Sequence, residues 1–163
     1  MDYPTFLSEL DKKLSKYFNV HKEYICCEVG CSLCCEKGDY PLSSIELEYL
    51  MQGFISLSDE LKQQVQANIK NMIKGETCPF LIDKKCSVYP YRPIICRVHG
   101  LAYLCKENTV KVPYCVHENK NYANAYKDGF INIAPIAENL DTANLLNNFE
   151  FGEIRNLADW LEI

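Results

Sequence analysis

Apolar positions in the first twenty residues recur at steps of three and four: Phe6, Leu7, Leu10, Leu14, Tyr17 and Phe18 share one side of a 3.6-residue repeat. That spacing predicts an amphipathic helix over Tyr3–Asn19. A second helix is expected from Ser43-Ser44-Ile45-Glu46, which has the form of a capping box: a serine oxygen meets the third backbone amide and a glutamate reaches back. Ile45, Leu47, Tyr49, Leu50 and Phe54 then supply its apolar contacts. A third helix is predicted after Ser58, with acids at Asp59 and Glu60, an apolar face of Leu61, Val65, Ile69 and Met72 or Ile73, and a stop at Gly75.

From Cys78 to Cys115 the helical period is lost, and Pro79, Pro90, Pro93, Gly100 and Pro113 punctuate short apolar runs. Phe80-Leu81-Ile82 and Cys86-Ser87-Val88-Tyr89 flank Asp83-Lys84-Lys85 as a small hairpin, and Leu101 to Tyr114, turning at Glu107-Asn108, forms a second. From Asn119 to Ile163 the apolar residues predict two or three helices with a break near Gly152. The expected fold is mainly α with small irregular β hairpins (α+β), a helical body carrying a proline-broken, cysteine-rich region over about residues 26–117. With no internal repeat, low-complexity tract or linker, residues 1–163 are read as a single domain, long enough to bury a core without cross-links.

The chemistry lies in the cysteines, ten in all, of which Cys26, Cys27, Cys31, Cys34 and Cys35 crowd into one short loop. Thiolate is the soft ligand that zinc, iron-sulfur clusters and cuprous copper select, and the Cys31-x-x-Cys34 step lets two sulfurs reach one ion from a tight turn. No basic leader or membrane-length apolar run of roughly 20 residues is seen, which predicts a cytoplasmic protein. In that reducing compartment clustered cysteines bind metal or do redox work more often than they form disulfides. The formal net charge of -5 and pI near 5.2, with lysines and glutamates interspersed, disfavour nucleic acid as a partner. Phosphate-binding glycine loops, the Gly-x-Ser-x-Gly elbow, His-Glu-x-x-His and the dinucleotide fingerprint do not occur.

After the first cluster come Cys78-Pro79-Phe80-Leu81, Cys86-Ser87-Val88-Tyr89 and Arg92-Pro93-Ile94-Ile95-Cys96-Arg97. This order resembles the YkgJ-like family of cysteine-cluster proteins, zinc- or iron-chelating domains named for a CxxCxxCC motif, over roughly residues 27 to 100. The resemblance implies metal ligands at Cys27, Cys31, Cys34, Cys35, Cys78, Cys86 and Cys96, with Cys115 as an eighth. This chain has three residues between Cys27 and Cys31 where the family has two, and Cys26 stands beside Cys27 as an alternative first ligand. Seven or eight sulfurs suit two tetrahedral thiolate centres, one such centre with spare thiols, or an iron-sulfur cluster beside a second metal. Cys26 and Cys105 are expected to be small buried hydrophobes.

Three roles stay open. The first is a zinc or iron-sulfur binding protein. The second is an iron-sulfur-dependent redox or methyl-transfer enzyme, since flagellin lysine methylases resemble this family in their cysteine motif and Cys27-x3-Cys31-x2-Cys34 is a spacing that binds four-iron clusters. The third is a zinc-stapled module that binds a protein partner. His99 is read as a mixed ligand, a general base or a hydrogen-bonded histidine, His117 likewise, and His21 as solvated. Arg92 and Arg97 bracket Cys96 and would either offset thiolate charge or pair with carboxylates.

Overall fold

The first helix, α1 (Tyr3–Val20), begins where Asp2 accepts a hydrogen bond from the Thr5 amide at 2.8 Å, with Pro4 in the first turn, where a missing N–H costs the helix no bond. Its buried face is Tyr3, Leu7, Leu10 and Leu14. The computed structural model describes residues 1–25, 31–36, 38–112 and 134–162. Their architecture is mainly helical with three small antiparallel strand pairs. No helix among them is long and apolar enough to cross a membrane. The chain divides into two compact units, Met1–Cys27 with Arg97–Asp141 and Glu28–Cys96 with Thr142–Ile163.

In the second unit α2 (Leu33–Glu36) leads to β1 (Pro41–Ser43), α3 (Ser44–Ile55) and α4 (Asp59–Lys70). The capping box at Ser43 and Glu46 forms, and the Ser58 hydroxyl accepts from the Leu61 amide to start α4. The α4 helix stops at Asn71, short of the expected Gly75: the Asn71 amide makes the last helical bond, to the Ala67 carbonyl, which also takes the Asn71 side chain, and the next amide, Met72, turns to the Ile69 carbonyl. The hairpin of β2 (Leu81–Ile82) and β3 (Lys85–Cys86) turns through Asp83 and Lys84, both at positive φ, as a tight two-residue turn demands. The helical turn α5 (Ile94–Val98) runs up to and across the division between the units, inside a stretch expected to be irregular.

Leu42, Leu50, Val65, Phe80, Val88 and Leu157 form the core of this unit, and Cys78 and Cys86 pack against it. The C-terminal part holds two single-turn helices, α6 (Thr142–Leu145) and α7 (Leu157–Trp160), with Gly152 between them. It also holds a strand the apolar pattern did not predict, β6 (Ile154–Asn156), which pairs antiparallel with β1. Residues 119–133 of the expected C-terminal helices lie outside the described residues.

In the first unit β4 (Tyr103–Leu104) and β5 (Val110–Lys111) form the second expected hairpin, with Glu107 and Asn108 at positive φ. The Ile136 segment bonds to β4, its amide donating to Ala102 and its carbonyl accepting from Leu104. His21 is buried rather than solvated, and burial lowers its pKa. Glu138 joins this segment to α1, accepting from Lys13 at 2.7 Å and Tyr17 at 2.8 Å. Burial acts to raise the Glu138 carboxyl, but the Lys13 and Tyr17 donors outweigh it and hold its pKa below the ordinary value. A depressed folded pKa contributes stability above the unfolded value and loses it as pH falls through the folded one. Glu138→Gln is therefore expected to destabilise the protein by about 1 kcal/mol at neutral pH, a figure reduced for the partly exposed Lys13. Denaturant titrations should show that difference vanishing once acid protonates Glu138.

Candidate metal centre

The two cysteine-bearing stretches meet through their backbones. Ser32 starts α2, its carbonyl accepting from the Cys35 and Glu36 amides at 2.9 and 3.1 Å and its hydroxyl donating to Glu36. The next segment lies against residues 76–78: the Cys78 amide donates to Cys35 O at 2.7 Å, Thr77 Oγ1 to Glu36 O, and the Gly38 amide to Glu76 O. Tyr40 folds back so that its hydroxyl donates to Cys34 O at 2.8 Å. A Cβ at position 38 would lie 2.0 Å from the Tyr40 ring, so any residue but glycine would displace that ring.

Cys34, Cys35, Cys78, Cys86 and Cys96, all partly buried free thiols of the second unit, lie close enough to act on one another electrostatically. Cys35 donates its thiol hydrogen to the Cys34 sulfur, which lowers Cys34 to about 7 and raises Cys35, so that the pair gives up its first proton readily and its second only with difficulty. Burial pushes Cys78 up to about 12, raises Cys86, and raises Cys96 well above the usual thiol range. Other groups act in the opposite sense. The Phe80 amide donates to the Cys78 sulfur and the Val88 amide to that of Cys86, and the Arg92 guanidinium favours charge on Cys86 and Cys96.

Among the described residues no three His, Cys, Asp or Glu side chains stand at the spacing of metal ligands, so these thiols are gathered without converging on a point. Their chemistry nonetheless fits a thiophilic cation. Sulfurs held from water resist ionising alone, while amide donors and a nearby arginine are arranged for the thiolate form.

The remaining candidates fall elsewhere. Cys31 is exposed just ahead of α2. Cys26, Cys27, Cys115 and His117 lie outside the described residues. Cys105, in the first unit, donates its thiol to Thr109 O at 3.1 Å within the hairpin. His99 is buried and belongs to the first unit. Arg97 takes the carboxylate alternative, its buried guanidinium donating to Asp11 of α1 at 2.5 Å. Arg92 lies over the Tyr89 ring and donates to Tyr89 O, within electrostatic reach of two of the thiols.

A family model named CxxCxxCC and described as "Putative zinc- or iron-chelating domain" matches residues 26–127, well over half of the chain. That description supports metal binding. No curated protein and no solved structure matches.

Proposed function

This chain belongs to the CxxCxxCC family, and we propose that it is a metal-binding protein whose centre, built from cysteine thiolates, takes zinc or iron. One observation carries the reading: sulfurs from the Cys34-Cys35 turn and from Cys78, Cys86 and Cys96 are gathered in one unit, with backbone amides donating to two of them. Cys34, Cys35, Cys78, Cys86 and Cys96 form the core of the ligand set, and the family motif adds Cys27 and Cys31, with Cys115 as an eighth. Neighbouring side chains such as Cys34 and Cys35 seldom suit one small ion, so either one of the two is a spectator or the centre is larger than mononuclear.

A bound cation supplies the positive charge that lets buried sulfurs remain ionised. The chain supplies the rest. Phe80 and Val88 orient their sulfurs through N–H donors, Arg92 offsets accumulated negative charge, and the packed core around Cys78 and Cys86 limits water. Free thiols of this kind suit a reducing cytoplasm.

The test is anaerobic purification followed by elemental analysis and absorption spectroscopy. Zinc or iron is expected in stoichiometric amount, retained by Cys105→Ser and lost from Cys34→Ser. A brown protein containing iron and sulfide identifies a cluster, and a colourless one containing zinc identifies a thiolate zinc centre. Metal-free protein, or metal content untouched by Cys34→Ser, overturns the reading.

A further inference from the structure

We propose that Glu46 is a positioning residue of the metal centre: its buried carboxylate ties the start of the Cys96-bearing helix to the cap of α3 and so sets where the Cys96 sulfur stands. The inference rests on the thiolate centre proposed above. Glu46 is 1% exposed, and both of its oxygens accept hydrogen bonds. Oε2 takes the Ser43 amide at 2.6 Å and the Ser43 hydroxyl at 2.7 Å, which is the reach-back of a capping box. Oε1 takes the Ile94 amide at 2.8 Å, and no helix cap requires that bond.

Ile94 opens α5 directly after Pro93. Its N–H is one of the first-turn amides that have no acceptor inside their own helix, and the residue is fully buried, so without Glu46 the donor would be stranded away from water. Cys96 follows within the same turn, its amide donating to Pro93 O at 3.1 Å. Fixing the Ile94 amide therefore fixes the backbone that carries the Cys96 sulfur.

The rest of the α3 face grips the approach to that turn. Gly53 lies so close to Tyr91 that a Cβ would stand 2.6 Å from the ring, and the Tyr49 and Tyr91 rings are centred 4.9 Å apart. Thus Tyr49 and Gly53 hold the chain before Pro93, and Glu46 holds it after. A carboxylate suits the position because both ends must accept. The amide of glutamine would turn a donor toward one of the two backbone N–H groups, and aspartate is one methylene too short to span both.

The experiment titrates cobalt(II) into the anaerobic, metal-free full-length protein, reading affinity and the thiolate-to-cobalt charge-transfer band, with the melting temperature of each metal-free variant measured alongside. Glu46→Gln is expected to weaken cobalt binding by about 10- to 100-fold, the range for outer-shell partners of metal ligands, and to reduce the band as Cys96 drops out. Ser43→Ala removes the hydroxyl's share of the cap, its bonds with the Glu46 amide and Oε2, but leaves Oε1 on Ile94. It is expected to lower the melting temperature while binding cobalt as the wild type does. If Glu46→Gln does not fold, Glu46→Asp carries the same expectation. Wild-type affinity and band intensity in the Glu46 variants overturn the inference alone, as does a loss in Ser43→Ala matching theirs. A wild-type protein that shows no thiolate-to-cobalt band overturns the proposed centre and this inference together.

Discussion

Replacing Cys78 by serine is expected to weaken zinc affinity by on the order of a hundredfold or more while changing the metal-free protein little. A serine hydroxyl does not ionise near neutral pH and is a poor partner for a soft cation, so the substitution removes a proposed ligand while keeping the size of the side chain. The backbone contact at this position survives, because Cys78 reaches Cys35 O through its amide. What disappears is the sulfur that accepts from the Phe80 amide. Competition against a chromophoric chelator, set beside the melting curve of the metal-free protein, separates the two quantities. Unchanged zinc affinity would remove Cys78 from the ligand set. The matched control is Cys105→Ser, where the thiol is engaged by Thr109 in the hairpin of the first unit.

Phe80→Ala is expected to have the largest effect on stability, a loss of about 3–5 kcal/mol, the usual consequence of truncating a buried aromatic. Phe80 is 1% exposed within the second unit's core and meets Phe54 edge-on, with ring centroids 6.5 Å apart. It also stands between two of the clustered sulfurs in sequence, and its carbonyl accepts from both the amide and the hydroxyl of Ser87, closing the hairpin that carries Cys86. Emptying its site should loosen hairpin and core together. Because the proposed centre relies on the fold to bring Cys78 and Cys86 together, saturating zinc is expected to restore part of the lost stability, increasingly with concentration. Denaturant unfolding with and without zinc measures this, and a loss below about 1 kcal/mol would show that the site collapses around the cavity.

The elements that could be read from the sequence were those whose cause is local. Leu7, Leu10 and Leu14 carry the period of α1, Ser43 and Glu46 spell the cap of α3, and Asp83-Lys84-Lys85, one residue wider than the observed turn, and Glu107-Asn108 mark the two turns. Strand β6 escaped because three residues, Ile154-Arg155-Asn156, have no period to show and owe their conformation to β1, far away in the chain. His21 and Arg97 were misjudged or left open for the same reason: burial of the first and the Asp11 partner of the second are settled by packing between distant segments. At the site, motif order named eight cysteines, of which Cys34, Cys35, Cys78, Cys86 and Cys96 lie within electrostatic reach of one another, Cys31 is exposed, and Cys27 and Cys115 lie outside the described residues. It could not reveal the third bond of Glu46, whose partner Ile94 is 48 positions on, since a capping box reads the same with or without it.

The hydrogen bond from Cys78 to Cys35 O has a kinetic consequence. A small zinc finger must close a loop each time it captures its ion, so emptying it means unfolding it. Here main-chain contacts already close the loop between the two cysteine stretches, and its helices contribute Leu50 and Val65 to an apolar core. For the centre proposed above, loading and release would then be side-chain events, with residence time set by the sulfurs and not by refolding of the chain around them.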